Sequence, residues 1–187
     1  MLLSYLDPVS LDRIVSFLPS STEILYEIRA DSQLVGVTHE CKYPDDAKKK
    51  PRVINSSFDG SKMNSKEIDE KIVELVQSGT DIYVLNDDKL RKAKPDLIIA
   101  QGVRGVCSIH KRDRATSVLG YSPDVLVLDP HDLDDILISI MDIAERVCRV
   151  AEGRQLLMSL QKRIDDIRIR SGSSRIRADG SNNKHQL

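Results

Sequence analysis

Four short polar clusters hold most of the side chains in this sequence that could do chemistry. Ser20-Ser21-Thr22 groups three hydroxyls ahead of a helical pattern. Thr38-His39-Glu40-Cys41-Lys42-Tyr43-Pro44 sets an imidazole, a carboxylate, a thiol, an ammonium and a phenol side by side. Gln101 opens a third cluster that runs to His110 and includes Arg104 and Cys107, and Asp129-Pro130-His131 forms the fourth. The first reading of these residues is a helix cap; hydroxyls and free N–H groups at a helix start also suit an anionic or amide-bearing ligand. His39, Cys41, Cys107 and His131 have the donor types zinc prefers, but not the spacing of a known zinc loop. A Cys41/His131 nucleophile pair would need a geometry that spacing alone does not supply. No G-x-G-x-x-G, Walker lysine motif or G-x-S-x-G elbow is present, which removes the common nucleotide-binding and hydrolase signatures.

These clusters need elements to position them. Arg13-Ile-Val-Ser-Phe-Leu18 reads as a buried strand, and Ser20 with Glu23 has capping-box spacing for a helix over Thr22–Ala30. Leu34–Thr38 reads as a second strand. After a polar segment with Pro44 and Pro51, Asn64 and Glu67 form another capping box, opening a helix with Ile68, Ile72, Leu75 and Val76 on one face and an end near Gly79. Asp81–Leu85, Asp96–Ala100 and Asp124–Leu128 bring the set to about five strands. Strands alternating with helices predict an α/β fold, an open and mainly parallel sheet with flanking helices. Ligands bind outside the carboxyl ends of such strands, so the four clusters are expected on one rim.

Residues 132–170 carry apolar side chains at three- and four-residue steps from Leu133 to Ile167. A single helix of that length would extend ~58 Å, so a break at Gly153 is expected, with Asp132 near the first N-cap and Cys148 a small buried residue inside the pattern. The second helix, 154–170, keeps an apolar stripe for folding back, for a second domain or for a homodimer. Residues 171–187 hold only Ile176, Ala178 and Leu187 as apolar residues and are expected to be a disordered basic tail. The resulting division is 13–131 as a ligand-binding lobe, 132–170 as a helical segment and 171–187 as tail.

Composition narrows the classes of function. The 187 residues, 40% of them hydrophobic, suffice for one core. With 28 Lys+Arg against 29 Asp+Glu and no Trp, neither charge nor aromatic platforms point to nucleic acid. No apolar run approaches the ~20 residues that span a bilayer. Three cysteines without close spacing make no disulfide framework, and the start MLLSYLDPVSLDR lacks the basic region of a signal peptide. A cytoplasmic location is the expectation from these features.

Four runs in order, Arg13–Leu25, Leu34–Pro44, Lys94–Gln101 and Asp124–His131, resemble the substrate-binding proteins of cobalamin and iron-siderophore ABC importers. The likeness covers about residues 13–168 and is greatest to the corrinoid-binding branch with a T-H-E-C-x-Y-P loop. It implies two α/β lobes joined by a rigid helix, with ligand held between the lobe rims. It implies non-catalytic binding without a cofactor, delivery to an ABC permease, and an extracytoplasmic location. Carried onto this chain, it makes 13–131 the N-terminal lobe and places the connecting helix near 154–170. Ser20, Ser21, Thr22, His39, Glu40, Tyr43, Gln101, Asp129 and His131 become the ligand-binding half-site, for cobalamin, another corrinoid or a chelate. The chain ends about where a second lobe should begin, so truncation is the expectation. The third loop departs from the branch's Gln-x-x-Cys-Glu-Val-Cys pattern, with Arg104 and Gly105 in place of Cys and Glu. The alternative reading is a cytosolic metal-binding protein or metalloenzyme that uses His39, Cys41, Cys107 and His131.

Overall fold

The computed structural model describes residues 13–102 and 109–180. Chain order is β1 (Ile14–Ser16), α1 (Pro19–Glu27), β2 (Leu34–Thr38), a 3₁₀ turn (Asp45–Lys49), β3 (Arg52–Ser56), α2 (Ser65–Gln77), β4 (Tyr83–Leu85), α3 (Asp87–Ala93), β5 (Leu97–Gln101), α4 (Ile109–Leu119), β6 (Asp124–Leu128), α5 (Leu133–Arg146) and α6 (Val150–Gly180). The strands form a single sheet in the order β4-β3-β2-β1-β5-β6. Every neighbouring pair is parallel except β3 with β4. The α/β open sheet is therefore as expected, with one strand more than the five read from sequence. That strand is β3, where only Val53 and Ile54 are buried. Pro51 and Arg52 on one side and Asn55 and Ser56 on the other mask it in the sequence.

The buried side chains form two clusters. Ile14, Leu34, Val37, Leu97 and Ile99 belong to one, with Leu25, Ile28, Ile143, Ala144 and Val147 of α1 and α5 and the turns that follow them. Val15, Val53, Ile54, Ile98 and Ala100 belong to the other, with Leu85, Leu90, Ala93 and Ala115. Central strands buried on both faces read as unbroken apolar runs, which is why β1 and β5 are visible in the sequence.

The helix ends correct several expectations. The Asn64/Glu67 capping box on α2 is present, and the Asp132 side chain accepts from the Asp135 amide at the start of α5. The Ser20/Glu23 box is not: α1 begins at Pro19, after an N-cap Leu18 whose side chain cannot cap. Proline at the first helical position sets φ and needs no N–H partner, so it starts the helix earlier than the serine would. The break in 132–170 is also not at Gly153. It falls after α5, at Cys148, which takes φ 56 and is exposed rather than buried. Gly153 instead lies inside α6, where an added Cβ would sit 2.5 Å from the Ala144 Cβ of α5. The backbone of 171–180 continues α6, where composition predicts disorder. Leu156 packs against the first core, whereas Met158 and Ile167 are exposed.

One buried group has a testable sign. The Tyr26 hydroxyl is buried without a hydrogen-bond partner, and burial, then the Asp31 and Asp46 carboxylates, hold its pKa above the ordinary tyrosine value. A raised folded pKa favours the folded state below the unfolded value and loses that advantage as pH climbs above about 10. Tyr26→Phe is expected to match or exceed wild-type stability by up to ~1 kcal/mol at neutral pH and to show a shallower alkaline decline. Chemical denaturation across pH checks this; a loss above ~1 kcal/mol would mean the hydroxyl has a favourable partner.

Candidate functional site

Parallel pairing brings the carboxyl ends of β1, β2, β3 and β5 to one edge, and the antiparallel β4 starts there. A cleft of about 220 Å³ opens at this edge, lined by Phe17, Leu18, Pro19, Thr38, His39, Glu40, Ile54, Tyr83 and Gln101. Phe17, Leu18, Pro19 and Ile54 give it an apolar floor, and Thr38, His39, Glu40, Tyr83 and Gln101 bring groups able to hydrogen-bond. An apolar hollow with a few converging polar groups is the usual form of a small-molecule site.

His39 is the most constrained of these polar groups. Its amide donates to the Ile54 carbonyl at 2.9 Å, and its ring tilts against Tyr83 with centroids 5.8 Å apart. Its Nε2 lies 3.0 Å from Glu40 Oε1, while Lys42 Nζ lies 3.2 Å from Glu40 Oε2. With Nε2 donating to a carboxylate, Nδ1 of a neutral ring is the acceptor. That Nδ1 is buried and has no hydrogen-bond partner. The Glu40 amide donates to Thr38 Oγ1 at 3.1 Å, which fixes the turn that presents both side chains.

Beneath the rim lies a buried hydroxyl and thiol cluster. Ser16 Oγ donates to the Leu18 carbonyl at 2.7 Å, sits 2.7 Å from Ser21 Oγ and accepts from Thr22 Oγ1 at 2.9 Å. Thr22 Oγ1 in turn lies 3.1 Å from Cys41 Sγ, and Thr38 Oγ1 lies 3.5 Å from the same sulfur. Ser21 and Thr22, expected on the ligand side, are fully buried and face inward, so they join α1 to the second loop from below. Ser20 is exposed on the first turn of α1.

The remaining expected residues are spread along the edge. Asp129 abuts Gly102, next to Gln101: a Cβ on that glycine would meet Asp129 Cβ at 2.8 Å. Asp129 lines a separate shallow groove of about 170 Å³ with Pro130, Asp135 and Ile138. His131 Nε2 is 3.5 Å from Asp129 Oδ2, and its imidazole is mostly exposed. Tyr43 is 62% exposed and lies outside the cleft lining. The structure thus gathers His39, Glu40 and Gln101 into one hollow and leaves Asp129 and His131 beside it. Sequence reasoning missed Phe17, Leu18, Ile54 and Tyr83, which are apolar or belong to strands whose place in the sheet is not legible locally.

Of the four candidate metal ligands, Cys107 lies outside the described residues, and Cys41 is buried against two hydroxyls. Among the described residues no three His, Cys, Asp or Glu side chains are grouped to hold a metal ion, and no helix is long and apolar enough to cross a membrane.

No protein-family model and no curated protein sequence matches this chain. Solved structures do. The periplasmic vitamin B12-binding protein of Vibrio cholerae superposes with a TM-score of 0.60 at 22% identity, over 88% of this chain and 52% of that one. A possible iron-binding periplasmic solute-binding protein of Staphylococcus epidermidis gives 0.55 at 26% identity, over 84% and 50%. The periplasmic haem-binding protein of Vibrio cholerae gives 0.56 at 18%, over 84% and 49%. The chain spans about half the length of each. These neighbours are described as binding proteins for vitamin B12, iron and haem. Over that half-length the chain has the fold of the periplasmic substrate-binding proteins for vitamin B12, haem and iron, the family that its four motifs resemble.

Proposed function

We propose that this chain supplies one wall of a non-catalytic binding site for a corrinoid or a related metal chelate, which it hands to an ABC permease. The observation that carries this reading is the cleft at the carboxyl ends of β1, β2 and β5, with its apolar floor and the edge formed by His39, Glu40 and Gln101. A corrinoid offers a flat macrocycle to such a floor and amide arms to an imidazole, a carboxylate and a carboxamide. Asp129 and His131 extend the polar edge beyond Gln101, and Ser20 lies at the head of α1. The reading takes the protein to work outside the cytoplasm, as its structural neighbours do.

Titration calorimetry with cobalamin, cobinamide, haemin and a ferric siderophore tests the proposal. Heat of binding is expected with a corrinoid, and Gln101→Leu is expected to weaken it about tenfold by removing one hydrogen-bonding edge group. No heat with either corrinoid, from protein shown to be folded by circular dichroism, defeats the reading.

A further inference from the structure

A second hollow of about 480 Å³ adjoins the cleft and shares His39, Glu40 and Tyr83 with it. Its size falls within the ~300–1,000 Å³ of ordinary small-molecule pockets. Phe58 from the loop after β3, Ile68 and Ile72 from α2, and Ile82 and Tyr83 at the start of β4 wall it, and all five are half-buried. Helix α2 buries only Leu75 fully, so its Ile68 and Ile72 face stays open to a guest. The charged side chains stand at the lip. Glu40 Oε2 and Lys42 Nζ lie 3.2 Å apart and neutralise each other. Asp59 has no such neighbour among the described residues. Its carboxyl accepts from the Ser61 amide at 3.0 Å, and that bond, with the Ser61 hydroxyl, holds it below the usual carboxylate range. One uncompensated carboxylate therefore guards an otherwise apolar hollow.

We infer that this hollow is a separate binding site for a small organic cation, an ammonium group carried on an aromatic or branched apolar body. The inference goes beyond the rim reading and does not rest on it. Charge sets the sign of the guest, because an anion would meet Asp59 with no cation to offset it. A carboxylate offers about four lone-pair positions; the Ser61 amide and hydroxyl fill two, which leaves acceptor capacity for an ammonium N–H. The walls act in the same direction. Phe58 and Tyr83 present ring faces that attract a cation, and Ile68, Ile72 and Ile82 suit the apolar body. The two preferences also act at different depths. The body lies inward while the ammonium stays at the exposed lip, so the charge keeps part of its hydration and escapes the cost of full burial.

Three probes of similar shape test this on the full chain by amide NMR titration: 2-phenylethylammonium, 2-phenylethanol and 3-phenylpropionate. The ammonium is expected to bind about tenfold tighter than the alcohol, the effect of one charge-assisted hydrogen bond, and the propionate weakest of the three. Shifts should centre on the amides of Phe58, Gly60, Ile72 and Tyr83. Asp59→Asn keeps an oxygen for the Ser61 amide and loses the charge. It should bring the ammonium down to the level of the alcohol, whose own affinity stays within about twofold. Gly60→Leu should fill the hollow, since a Cβ there meets Phe58 and Ile68 at ordinary contact distances of 3.5 and 3.7 Å, and should weaken ammonium and alcohol alike by at least about tenfold. The exposed Asp59→Asn change carries the test if Gly60→Leu does not fold. Four results overturn the assignment: no saturable shifts with the ammonium, equal wild-type affinities for ammonium and alcohol, a preference that survives Asp59→Asn, or shifts centred elsewhere. Each leaves the rim reading in place, because no corrinoid enters the experiment.

Discussion

Gly153→Ala should destabilise the fold by about 1–3 kcal/mol, although the same exchange inside an ordinary exposed helix stabilises it by up to ~1 kcal/mol. The reversal comes from a single contact. A Cβ on Gly153 would lie 2.5 Å from the Ala144 Cβ and 3.4 Å from the Met141 sulfur. Ala144 is fully buried, and its backbone belongs to α5, which covers the sheet through Ile140, Ile143 and Val147. The Met141 side chain can swing aside, but the Ala144 Cβ is fixed to the backbone of α5, so the helices must separate and loosen Leu156 from the core. Urea denaturation of Gly153→Ala, Ala144→Gly and the double variant isolates the contact. The double variant should recover at least ~1 kcal/mol relative to the sum of the singles. Strict additivity would show that α6 does not approach α5 this closely.

Ser16→Ala is the second change with a large expected effect, about 1–3 kcal/mol for so small a side chain. Ser16 is fully buried and touches the Leu18 carbonyl and the Ser21 and Thr22 hydroxyls. Its removal leaves part of a buried polar network short of partners, which is costlier than removing a solvated hydroxyl. The effect should reach the rim, because Thr22 leads directly to Cys41 and thence to the turn that holds His39 and Glu40. Two readouts separate this from a general loss of stability. Alkylation mapped by peptide mass spectrometry should reach exposed Cys148 before buried Cys41 in both proteins, and Cys41 markedly sooner in the variant. Amide exchange should accelerate at His39 and Cys41, whose amides bond to the Ile54 and Thr38 carbonyls, more than in β5. A variant with wild-type stability and unchanged Cys41 reactivity would show the network to be incidental.

Much of the architecture can be read from local sequence. The Ile14-Val15 and Leu97-Ile98-Ile99 runs are apolar at every position because β1 and β5 feed cores on both faces of the sheet. Asn64 and Glu67 announce the start of α2 because a capping box is a purely local exchange of hydrogen bonds. Strand β3 escapes because it buries only two residues, and its pairing partners lie far off along the chain. The antiparallel sense of β4 escapes for the same reason, and with it the place of Tyr83 in the cleft.

By itself the sequence determined which loops share an edge, because strand direction and the need for crossovers are settled by patterning over a few residues. It could not determine which way each side chain on those loops turns. Ser21 and Thr22 face inward because Ser16 and Cys41 offer them buried partners, while His39 and Glu40 stay at the surface over Ile54 and Tyr83. Gly153 carries the same lesson: a residue that reads as a flexible break is a close contact, while Cys148 makes the corner. Those outcomes depend on atoms brought together from distant parts of the chain, and only the packed tertiary structure decides them.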